Sequence, residues 1–212
     1  YVDSTSRAVA RVRKLARISP SGGVPPTDTC IHDRDAIGLY EYTAHDIRLP
    51  AMQADVFRIA VLNAGAGVWI DAASTCHQPL DAWLNRRQPL VLLRRAHQQH
   101  PKVWNGFIYS AAEGHPLLVA AWQQISAALL ARRGERVWRD FGPGLLCDLL
   151  AAGVSEAGLL VLPESELSDQ LLIGSSSDAL PGDRHWSQRQ QVESLYLSGG
   201  SPSASQRSND AS

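Results

Sequence analysis

The chain has 212 residues, with 44% apolar residues and a formal net charge of −1 at pH 7. That apolar share is near the ~45–50% of ordinary soluble folds, so whole-chain disorder is excluded, and the charge balance argues against a dedicated nucleic-acid binder. No run approaches the ~18 consecutive apolar residues of a membrane-spanning helix, and YVDSTSRAVARVRKLAR lacks the apolar centre of a signal peptide.

Three cysteines, Cys30, Cys76 and Cys147, lie far apart and form no C-x-x-C pair, which fits reduced thiols in a cytosol. Of the 20 basic residues only Lys14 and Lys102 are lysine. Arginine's planar fork suits carboxylates and phosphates, although genomic base composition is the simpler source of this bias.

In chain order, residues 4–18 read as a helix, with Val9, Val12 and Ala16 on one side and Arg7, Arg11, Arg13, Lys14 and Arg17 on the rest. The basic side fits a solvated face, or else a peripheral membrane contact or a partner. Residues 19–28 read as a Pro/Gly loop, 29–32 as a short strand and 33–42 as a short helix. Residues 50–64 read as a helix opened by Pro50, with Val56, Ile59, Ala60 and Leu62 as its apolar stripe. Gly65 and Gly67 stop it, and the strand Val68–Trp69–Ile70 follows, ending at Asp71.

Further strands are predicted at 89–95, 103–111 and 159–163, and further helices at 79–84, 115–133 and 142–153. Residues 174–188 read as a long loop, and the polar low-complexity stretch from Ser198 onward as a disordered tail, 198–212. The pattern predicts one α/β domain over 1–197, an open, mainly parallel sheet flanked by helices.

Residues 55–71 carry the densest chemistry. Asp55 and Arg58 are spaced i, i+3 on one helix face, and the glycine turn returns the chain so that Asp71 ends a strand beside that helix. Two acids and an arginine at one sheet edge suit a polyhydroxylated ligand, and Asp71 can hold a hard divalent cation bridging phosphates. An Asp55–Arg58 pair that only pins the helix explains the spacing equally well.

Other chemistries find little support. The seven histidines form no H-E-x-x-H pattern, no serine stands in G-x-S-x-G, and G-A-G at 65–67 precedes a strand rather than following one. His97 and His100 read as loop residues, Trp122 and Trp138 as packing residues, and Glu164 and Glu166 as a polar loop after the last strand.

The stretch ADVFRIAVLNAGAGVWIDAASTCHQPLDAWL, residues 54–84, resembles the core of the capsular polysaccharide synthesis proteins. These are glycosyltransferases related to the DXD sugar-binding transferases and to initiating mannosyltransferases. Asp55, Arg58, Leu62, Gly67, Val68, Trp69, Asp71 and Ala72 fall on that family's pattern in register, with Pro79, Leu80 and Asp81 following. WNGFIYSAAEGHPLL at 104–118, FGPGLLCDLL at 141–150, and Arg184, His185 and Trp186 resemble later family segments.

The resemblance implies a GT-A-like, Rossmann-type sheet and a hexosyltransferase that retains anomeric configuration. Its donor would be a nucleotide sugar and its acceptor a growing capsular or surface glycan, in the cytoplasm or at the inner face of the membrane. No catalytic nucleophile is named. Asp55, Arg58, Gly67 and Asp71 become donor-sugar residues, and Asp71 the ligand of a Mn²⁺ or Mg²⁺ ion. Ala73 stands where DXD has its second acid, so His77, Asp183 or His185 would complete the metal shell. His185 and Trp186 would belong to a lid over the donor, within residues 174–187. Tyr1–Ser4 resembles the end of the family's first strand, so that strand would be missing here. Ala73 and that strand motivate the alternative, a catalytically degenerate nucleotide-sugar-binding homologue.

Overall fold

Pro50 opens helix α1 (Pro50–Ala64), where its missing N–H costs nothing. The computed structural model describes residues 46–95, 102–154, 157–173 and 186–197. The elements predicted at 4–18, 29–32 and 33–42, most of the proposed lid with Asp183 and His185, and the polar tail lie outside the described residues.

After α1 come β1 (Gly67–Ile70), β2 (Thr75–Cys76), α2 (Leu80–Trp83), β3 (Leu90–Arg95) and β4 (Lys102–Ser110). Helices α3 (Pro116–Leu130), α4 (Val137–Asp140) and α5 (Pro143–Ala151) follow, then β5 (Leu159–Pro163), a 3₁₀ turn (Glu164–Leu167), β6 (Leu171–Leu172) and α6 (Trp186–Arg189). Helix α6 begins inside the stretch read from sequence as a loop. Among the described residues no helix is long and apolar enough to cross a membrane.

Among the described residues the main sheet has four strands in the order β1-β4-β3-β5, with β1 and β5 outermost, while β2 and β6 form a separate antiparallel ribbon. The expected mainly parallel sheet is corrected here. β4 runs antiparallel to both neighbours, β1 and β3, and only β3–β5 is a parallel pair. Connection length explains the difference. Residues 96–101 are too few for the crossover of about a dozen residues that a parallel pair needs, so β4 folds back on β3. The longer connection through α3, α4 and α5 allows β5 to return parallel.

Side chains alternate across β3. Leu90 and Leu92 join Val56, Ile59, Leu118, Ile125 and Leu145 in a core between the sheet and helices α1, α3 and α5. Val91 and Leu93 face the other way, with Phe107, Tyr109, Leu84, Leu167 and Leu171. The sheet is thus covered on both faces.

Helix α3 ends before the predicted stop at Gly134. Arg132 adopts a left-handed φ of 49°. Its guanidinium lies 3.1 Å from Asp46, donates to the Leu197 carbonyl at 2.7 Å and stacks on the Tyr196 ring. Tyr196 Oη donates to the Arg133 carbonyl at 2.8 Å. This tertiary clasp joins residues 46–48 and 195–197 to the end of α3, a long-range contact that local helix signals do not report.

Candidate functional site

Asp55 and Arg58 lie one turn apart on the buried side of α1. Arg58 Nη2 lies 3.1 Å from Asp55 Oδ1 and 3.3 Å from Asp71 Oδ1, so one guanidinium nitrogen serves two carboxylates. The rest of the fork is also engaged: Nη1 donates to the Asn105 carbonyl at 2.5 Å and Nε to the Ala54 carbonyl at 3.3 Å. The guanidinium carbon sits 4.9 Å from the centre of the Trp69 ring, and Phe57 meets that ring edge-on.

Asp71 follows β1 directly. Its N–H donates to the Gly106 carbonyl at 2.8 Å, which continues the β1–β4 ladder by one residue. Trp69 Nε1 donates to Asp71 Oδ1 at 2.8 Å. That oxygen is therefore held from two sides, while Oδ2 accepts no hydrogen bond among the described residues. The Asp71 side chain is 34% exposed, against 11% for Asp55 and 5% for Arg58. Asp71 is the member of the trio that meets solvent.

Burial pushes the Asp55 carboxyl up to about 6. The Arg58 charge and the Asn105 hydrogen bond pull the other way, and the Asp71 charge adds to the rise. The carboxylate is mostly ionised at neutral pH and titrates just below it.

Asn105 is a site residue that the sequence reading did not single out. Its Nδ2 donates to Asp55 Oδ1 at 2.8 Å. A bulge delivers it: Leu92 pairs with Ile108 but Leu93 pairs with Trp104, so Asn105–Gly106–Phe107 loop out opposite β3. The odd-numbered insertion reverses the alternation, so Trp104 and Phe107 face one side and Asn105 reaches α1. Gly106 is required, because a Cβ there would lie 2.0 Å from the Trp104 ring. The signal was present as Asn-Gly inside an apolar strand. Gly142 is a second unforeseen contributor: a Cβ there would stand 2.7 Å from Asp55 Oδ2 and 3.1 Å from the Trp138 carbonyl.

The structure brings Asp55, Arg58 and Asp71 together and leaves Gly67 apart. Gly67 starts β1, opposite Ser110, so it lies at the other end of the strand from Asp71. Its φ of 157° serves the turn from α1 into β1. His77 extends the β2–β6 ribbon, its N–H donating to the Gln170 carbonyl. Glu164 lies beyond the C-terminal end of β5, 3.8 Å from Arg95. His185 lies outside the described residues, and Trp186 opens α6.

Asp71 Oδ2, on the more exposed acid of the trio, accepts no hydrogen bond among the described residues, and Arg58 stands beside its partner oxygen. Among the described residues no group of three or more His, Cys, Asp or Glu side chains gathers as a metal site. The donor set suits an ion that draws most of its ligands from substrate phosphates and water.

No curated protein matches the chain. Residues 39–131 match the family model described as capsular polysaccharide synthesis protein, a stretch that contains Asp55, Arg58, Asp71 and Asn105. The match supports a likeness to the capsular polysaccharide synthesis family over these residues.

Proposed function

We propose that the chain is a glycosyltransferase that takes a hexose from a nucleotide sugar and passes it to a capsular or surface glycan. The observation that carries this reading is the trio itself, two carboxylates sharing Arg58 Nη2 at a sheet edge inside the family-matched residues. In this reading Asp71 accepts from the hydroxyls of the donor sugar through its open oxygen. Arg58 is buried and fully engaged, so it acts as a positioning residue that fixes Asp71 Oδ1. Asp55 and Asn105 in turn hold Arg58. Pre-organisation of this kind places a carboxylate without the entropy loss of ordering it on binding.

A Mn²⁺ or Mg²⁺ ion would be held by Asp71 together with the donor's phosphates, and when bound it would neutralise the leaving nucleoside diphosphate. Ala73 offers no second carboxylate, which favours the second reading, a homologue that binds nucleotide sugars without turning them over.

The test is release of nucleoside diphosphate from UDP- and GDP-hexoses by the full chain with Mn²⁺. Release that disappears in Asp71→Ala supports the enzyme. Calorimetric binding without release supports the degenerate homologue. Neither binding nor release overturns both.

A further inference from the structure

β3 ends in two adjacent arginines at the same end of the sheet as Asp71. β1 and β3 both run antiparallel to β4, so they point the same way, and each ends at this edge. With strands ~4.8 Å apart and β4 between them, β1 and β3 lie about 10 Å apart laterally, and β3 runs on past the level of Asp71: Asp71 stands opposite Gly106, Arg94 and Arg95 opposite Val103 and Lys102. That offset leaves room for a hexose joined to a diphosphate.

The two arginines are presented differently. Arg95 is stacked, its guanidinium carbon 5.0 Å from the centre of the Trp104 ring, and it lies 3.8 Å from Glu164. Gly106 allows this platform, since any side chain there would collide with the Trp104 ring. The Arg95 side chain is held on two sides yet remains 35% exposed. Arg94 is exposed and makes no ion pair among the described residues. Strand alternation sends Arg94 to the face that carries Val103 and Trp69, and Arg95 to the opposite face, so the pair straddles the end of β3.

The charges at this edge are divided. Asp55, Arg58 and Asp71 sum to one negative charge when ionised, and Arg94, Arg95 and Glu164 sum to one positive charge. Hydroxyls suit the first position and an anion the second. We propose that Arg94 and Arg95 form a diphosphate clamp that supplies, from the protein, much of the positive charge a DXD metal would bring. The inference deepens the donor-binding reading and rests on it for the identity of the diphosphate. The clamp needs no bond to form or break: guanidinium N–H groups donate to phosphate oxygens, and their charge offsets that of the diphosphate.

The experiment is calorimetric titration of the full chain with inorganic pyrophosphate in EDTA. Pyrophosphate binds in the absence of metal, and binding weakens with salt. Arg94→Ala and Arg95→Ala each lower the affinity about tenfold, as expected for loss of a charge-assisted contact. The double variant loses binding. Arg94→Ala removes an exposed side chain without an ion pair among the described residues, so its fold is retained and its result stands even where Arg95→Ala is damaged. Absence of pyrophosphate binding in EDTA, or an affinity unmoved in the double variant, overturns the clamp. Turnover of nucleotide sugars with unchanged pyrophosphate affinity in the double variant overturns the clamp and leaves the transferase reading. Arginine-dependent pyrophosphate binding with no nucleotide-sugar binding or turnover does the reverse.

Discussion

Arg58 Nη2 lies 3.3 Å from Asp71 Oδ1, and this contact joins the buried face of α1 to the open edge of the sheet. The same nitrogen is 3.1 Å from Asp55 Oδ1, so the exposed acid and the buried one are coupled through a single cation. A change at Asp55 therefore reaches Asp71 without direct contact between the carboxylates.

Removing the cation leaves a buried acid unpaired. Arg58→Ala should lower stability at pH 7 by roughly 3–5 kcal/mol, the usual cost of breaking a buried ion pair from one side. Without Arg58 the Asp55 carboxyl loses the charge that lowers its pKa, so it takes up a proton more readily. The cost should shrink at pH 5. Denaturant midpoints at the two pH values check both statements.

The raised Asp55 pKa also sets a sign for the intact protein. Native Asp55 holds its proton up to about 6, against about 3.9 for an ordinary Asp carboxyl, so the native state binds more protons than the unfolded chain between these values. Stability from this group is greatest below pH 4 and falls as pH rises through 6, by on the order of 3 kcal/mol at most. His115 works oppositely, since burial lowers its pKa and favours its neutral form. The comparison that isolates Asp55 is wild type against Asp55→Asn, in which the downward slope between pH 4 and 6 should vanish.

Much of this architecture was readable in the sequence because the signals were local. Pro50 and the Val56–Ile59–Ala60 spacing defined α1, the glycines after Ala64 defined its exit, and i, i+3 spacing put Asp55 and Arg58 on one face. What escaped depends on pairing. Strand periodicity is the same in parallel and antiparallel neighbours, so the direction of β4 was not legible. Asn105 reaches Asp55 only because a bulge reverses the alternation, and Gly142 matters only because α5 packs its entry against α1. The end of α3 was misplaced because Arg132 is drawn to Asp46 and Tyr196, residues remote in the chain.

Gly142→Ala tests how tightly Asp55 is enclosed. The added methyl would meet Asp55 Oδ2 at 2.7 Å, and the Trp138 carbonyl and Cα at 3.1 and 3.3 Å. Two of these three neighbours are backbone and cannot swing aside. A loss of about 1–3 kcal/mol is expected, as for overpacking elsewhere, with the thermal midpoint as the readout.

Tyr196→Phe tests the clasp at the end of α3. The hydroxyl donates to the Arg133 carbonyl at 2.8 Å, and burial pushes its pKa up to about 12. Deleting it should cost about 1 kcal/mol, the net worth of one protein hydrogen bond. Because Arg132 still stacks on the ring, the loss should be smaller than for Tyr196→Ala in the same denaturation series.

The central claim is that Asp71, held by Arg58, contacts the sugar of a nucleotide-sugar donor. Its most direct test is calorimetric affinity of wild type and Asp71→Asn for a nucleotide sugar and for the matching nucleoside diphosphate, both in EDTA. Loss of a charged hydrogen-bond acceptor should weaken nucleotide-sugar binding about tenfold while nucleoside diphosphate binding stays within about twofold. Equal affinity of both proteins for the nucleotide sugar would contradict the account.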